Sequence, residues 1–104
     1  MIIVSSSSIA GKKIVKTLGL VRGNTIRARN IGKDILAGFK NIIGGEIEEY
    51  TKLMAEAREQ ALDRMIERAE ELGANAIVDA RFSTSYIMGA ASEILAFGTA
   101  VIIE

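Results

Sequence analysis

The side chains that could do chemistry in this chain are hydroxyls, carboxylates, lysines, arginines and two tyrosines. Its 104 residues contain no cysteine and no histidine. A thiolate nucleophile and a disulfide framework are therefore excluded, and so is the imidazole that most often moves protons near neutral pH. The hydroxyl-rich segment is Ser5-Ser6-Ser7-Ser8, with Lys12 and Lys13 just beyond it. It reads as a turn or as an anion-binding loop. Ser6, Ser7 and Lys12 are its candidate contacts for a small ligand. No histidine or aspartate stands at a spacing that would activate a serine, so the expected class is not an enzyme.

Other constellations reduce to structure. Gly19-Leu20-Val21-Arg22-Gly23-Asn24-Thr25 has its glycines too close for a phosphate loop and Asn24 where a lysine is required. Glu46, Glu48 and Glu49 follow no calcium-loop spacing. Met54 and Met65 fall on an apolar helical stripe, where packing explains them. Soft metals prefer thiolate and imidazole, so no metal or other cofactor is expected.

Charge is divided along the chain. The net charge is zero, yet residues 1–33 carry seven basic side chains and no acid, and the remainder carries six basic and thirteen acidic ones. Such halves are self-complementary, which favours contact between the basic part and an acidic helix, within a subunit or across to a neighbour. Arg22, Arg27 and Arg29 alternate with small and aliphatic residues, without the stacking aromatics of single-strand binders, so nucleic acid is not an expected partner. Arg58 is the most singular residue. On a helical wheel it falls beside Ala61, Met65 and Leu72, inside the apolar arc. Either its stem packs and its head reaches solvent, or it pairs with Asp34 or Asp79 or lies at a subunit interface. Arg58 with Asp34, as an organising pair, joins Ser6, Ser7 and Lys12 among the candidate binding residues.

The elements that must position these residues follow from periodicity. Met1–Val4 is a short strand. Lys13–Gly23 and Thr25–Arg29 are strands closed into a hairpin at Gly23-Asn24. Asn30 caps a helix from Ile31 to Ile43, ended by Gly44-Gly45. A second helix, Glu46–Leu72, opens on three carboxylates and stops at Gly73. Ala76–Ser83 and Glu93–Ile103 are the last strands. Glu93–Ile103 is apolar on both faces and expected to be covered on both. The expected fold is a small single α/β (α+β) domain, residues 1–104, in the order β-β-β-α-α-β-β. Apolar residues make up 49% of the chain, more than a chain this short hides alone, so a homo-oligomer is expected. No run reaches the roughly 20 apolar residues of a membrane span, and the N-terminus lacks the pattern of a secretory leader. Cytoplasmic residence without a membrane partner follows as the default.

From the second helix onward the chain reads Tyr50, then Ala57-Arg58-Glu59-Gln60-Ala61, then Ala69-Glu70-Glu71-Leu72-Gly73-Ala74-Asn75-Ala76-Ile77-Val78. On these residues it resembles the YbjQ-like family of small bacterial and archaeal proteins. Gly11, the hydroxyl-rich loop, Gly44-Gly45 and Gly98-Thr99-Ala100-Val101 agree with it. The resemblance implies a homopentamer of α/β subunits, ring-shaped, with no established activity. The family also carries a heavy-metal-binding label, which makes a metal-binding protein the alternative function. The chain departs from that label in lacking both Cys and His.

Overall fold

The computed structural model describes residues 1–28, 45–88 and 91–104. Strands β1 (Ile2–Ile3), β2 (Ile14–Ala28), β3 (Ala76–Met88) and β4 (Ala91–Ile103) form one mixed sheet, and helix α1 (Gly45–Glu71) lies on it. The sheet order is β1-β3-β4-β2: β1 runs parallel to β3, and β4 is antiparallel to both its neighbours. Along the described chain the order is therefore β-β-α-β-β. The helix expected over 31–43 lies outside the described residues.

The expected hairpin at Gly23-Asn24 is not formed. β2 runs straight through it, with Gly23 opposite Ala96 and Asn24 opposite Leu95 on β4. The glycine serves packing instead. A Cβ at Gly23 would collide with the Ala61 carbonyl oxygen and the Met65 amide, and would lie 2.7 Å from Arg64 Cβ. Helix α1 can approach β2 this closely only over a residue without a side chain.

α1 presents Ala57, Ala61, Met65 and Ala69 at four-residue spacing, all fully buried, against Val21, Ile94, Ala96 and Ala100. Thr25 sits in the same layer, and its hydroxyl donates to the Ala57 carbonyl at 3.1 Å. Small residues at three of those four helix positions bring helix and sheet near, and Met65 fills the remaining volume. A smaller cluster on the opposite sheet face joins Ala76, Val78, Val101 and Ile103 to Val4, Ile9 and Ile14 of the N-terminal segment. Covering of β4 on that face stops there: Leu95, Phe97 and Thr99 are only half-buried. Leu72, expected in the apolar arc, is 50% exposed because it falls beyond the last residue of α1.

β3 and β4 extend to Met88 and Ala91, further than the expected strands over 76–83 and 93–103, because residues 83–88 pair with 91–95. A 15-residue strand alone spans about 50 Å, and the chain measures 55 × 22 × 16 Å. Its radius of gyration is 17.3 Å, against about 13 Å for a compact chain of this length. No helix among the described residues is long and apolar enough to cross a membrane.

Candidate functional site

The serine loop is built around a fault in β3. Between Val78 and Arg81 the pairing with β4 slips by one residue, a β-bulge. Asp79 takes up the slack with φ at +54°, a left-handed conformation that Asp tolerates better than most side chains. The bulge frees backbone groups that the serine loop then satisfies. Asp79 N donates to Ser6 O at 2.9 Å, and Ala80 N to Val4 O at 3.0 Å. Ser7 Oγ donates to Asp79 Oδ1 at 2.8 Å, and Ser6 Oγ to Ser8 O at 2.7 Å. Arg81 Nη1 donates to Ser5 O at 2.8 Å and to Ala80 O at 3.3 Å. Across the sheet stands Gly98, where a Cβ would lie 2.7 Å from Ile77 Cγ2 and 3.1 Å from Val78 O.

Ser6 and Ser7 thus come together with Asp79 and Arg81, two residues that sequence reasoning did not assign to the loop. Their hydroxyl protons are directed at acceptors within the chain. The Lys12 side chain is exposed, and its amide closes a turn to Ile9 O at 3.0 Å. Asn75 was also missed. It brackets the end of β4, with Nδ2 donating to Ile103 O at 3.0 Å and Oδ1 accepting from Ile103 N at 2.8 Å. The unusual run Gly73-Ala74-Asn75 between helix and strand was its only signal.

Arg58 is exposed and makes no ion pair with Asp79, whose carboxylate is held by Ser7 instead. Asp34 lies outside the described residues. Arg64 and Arg68 occupy the flank of α1 that borders β2. Arg64 Nη1 donates to Asn24 O at 2.6 Å, which occupies a carbonyl of β2. Arg68, Glu71 and Leu72 line a groove of about 380 Å³ with Leu20, Val21 and Arg22. On the sheet face away from α1, Phe97 stands in register between Arg22 on β2 and Arg81 on β3. The sequence had shown no aromatic among the basic residues; the sheet supplies one from β4. Phe97 is half-buried there, and the Arg81 guanidinium is already engaged by the serine loop.

Comparison with known proteins agrees with this layout. A family model described as "Putative heavy-metal-binding" matches residues 1–104. The chain belongs to the YbjQ family. A UPF0145 protein of Dehalococcoides mccartyi is 61% identical over 104 residues, covering all of both chains. Another UPF0145 protein, from Methanosarcina acetivorans, is 55% identical over 101 residues, covering 97% of this chain and 95% of its own. The fold is similar to that of a crystal structure of a protein of unknown function from Pediococcus pentosaceus, assigned to the DUF74 family. Its TM-score is 0.70 at 15% identity, covering 100% of this chain and 98% of that one. The family model's description names heavy-metal binding, but the donor set here does not fit it. Thiolate and imidazole are missing from the whole sequence, and among the described residues no three carboxylates come together.

Proposed function

We propose that this YbjQ protein is a non-enzymatic, cytoplasmic assembly module that closes into a homo-oligomeric ring, of five copies by the family resemblance. The observation that carries the reading is the mismatch between a long sheet and the single described helix upon it. Leu20, Ile26, Phe82, Tyr86 and Ile87 all remain 50% or more exposed. The accessible surface is 6852 Å², about 1,200 Å² above the roughly 5,700 Å² expected of a compact chain of 11.2 kDa. Large apolar side chains left exposed together along a sheet are characteristic of an interaction site.

Within this reading Ser6, Ser7 and Lys12 offer a polar contact to a small ligand or protein partner at one end of the sheet. Arg58 belongs to the assembly surface. The test is the native mass of untagged protein at micromolar concentration: an oligomer supports the reading, and a stable monomer ends it. Heavy-metal binding is the second reading, carried by the family description alone. Elemental analysis after purification without chelator decides it, because stoichiometric zinc, copper or nickel surviving dialysis would put metal binding first.

A further inference from the structure

Arg58 occupies a position that belongs to the interior. At 100° per residue along α1 it falls between Met65 and Ala69, both of them fully buried, yet Arg58 is exposed. The sheet beneath explains the contrast. The flank bearing Arg64 and Arg68 is engaged by β2, through Asn24 O and the Leu20–Arg22 groove. The opposite flank, with Arg58 and Leu62, therefore points toward β3.

The cross-strand register defines what lies there. Phe82, Thr84 and Tyr86 on β3 stand opposite Ala96, Ile94 and Ser92 on β4, and so share the sheet face that α1 covers. The three β4 residues are buried. Those on β3 are exposed, Phe82 by 51% and Tyr86 by 73%. Among the described residues α1 covers β2 and β4 and stops short of β3. The result is a step, with Phe82, Thr84 and Tyr86 as its floor and Arg58 and Leu62 as its wall.

We propose that a second copy of the chain sits in this step, its acidic helix stripe Glu56, Glu59 and Asp63 facing Arg58 while the contact covers Phe82 and Tyr86. The inference rests on the assembly reading above and names its contact surface. Two observations select a second copy. The first is charge: Glu56, Glu59 and Asp63 line an open groove with Ala55 on the outer side of α1, and none of the three carboxylates forms an ion pair among the described residues. They are the complement that a desolvated Arg58 requires. The second is area: the whole chain exposes about 1,200 Å² more than a compact chain of its mass, the order of the ~800 Å² that each partner gives to one standard interface. Step and stripe are different surfaces of one subunit, so the contact is head-to-tail, and repeating it generates a ring when the rotation closes.

The experiment compares untagged wild type with Arg58→Glu, Tyr86→Ser and Arg68→Glu by sedimentation equilibrium over a concentration series, with far-UV circular dichroism for folding. Arg58→Glu and Tyr86→Ser are expected to weaken association at least ~10-fold, as central contacts do, with helical signal retained. Arg68→Glu, on the other flank, leaves association unchanged. Adding Glu56→Lys and Glu59→Lys to the Arg58→Glu chain restores association. The inference is overturned if Arg58→Glu and Tyr86→Ser associate like wild type, if Arg68→Glu weakens assembly as much, or if the reversed charges give no rescue. Should Tyr86→Ser unfold, Phe82→Ser takes its place and the Arg58 series still decides. A wild type that is itself monomeric ends the assembly reading; an oligomeric wild type with indifferent variants ends only this contact.

Discussion

Ser7 Oγ and Asp79 Oδ1 lie 2.8 Å apart although 72 residues separate them in sequence. The bond fastens the N-terminal loop to the one non-glycine residue among those described that has positive φ. The loop and the bulge therefore stabilise each other. Asp79→Ala removes the acceptor and keeps the strained backbone, and is expected to cost about 1–2 kcal/mol. Asp79→Gly relieves the strain and should lose less, while Asp79→Val should lose most, because a β-branched residue resists φ above zero. Urea denaturation of the three variants checks the ranking.

Gly23 fixes the distance between α1 and β2. Gly23→Ala forces backbone against backbone, where no side chain can yield. The expected loss is about 2–3 kcal/mol, read as a lowered denaturation midpoint. A substitution tolerated without loss would show that α1 does not rest on this residue.

Met65 is among the largest fully buried side chains, set between alanines. Met65→Ala leaves a cavity that neighbouring alanines cannot fill, with an expected cost of about 2–5 kcal/mol. Met65→Leu keeps the volume and should cost less than ~1.5 kcal/mol. Thermal unfolding of the pair separates lost volume from lost shape.

Asn75 ties α1 to the end of β4 through both backbone groups of Ile103. Asn75→Ala leaves those groups without their partner and should cost about 1–3 kcal/mol. Faster hydrogen exchange at the Ile103 amide, with little change at Ala96, is the local signature expected.

The long helix was legible because its apolar residues repeat at the helical period over seven turns, and the described α1 differs from the expected span by one residue at each end. The hairpin was misread because Gly-Asn is strong local turn chemistry. Nothing within a few residues of Gly23 reveals the helix that crosses it. The outer half of β3 was missed because Thr84, Ser85 and Tyr86 carry no apolar alternation, and pairing with β4 alone makes them a strand. Asp79 was legible only as a candidate partner for Arg58, and its place in the bulge was not, since a left-handed residue in a strand follows from its opposing register. Arg58 was legible as an anomaly on the wheel. That the sheet beneath it ends in exposed Phe82 and Tyr86 belongs to the tertiary structure.

The proposed ring requires that this chain complete itself with copies of its own kind. Multi-angle light scattering of untagged protein, at micromolar concentration and moderate salt, tests it most directly. A ring of five gives a single species near five times 11.2 kDa, about 56 kDa. A stable species at 11.2 kDa across the whole concentration range would contradict it.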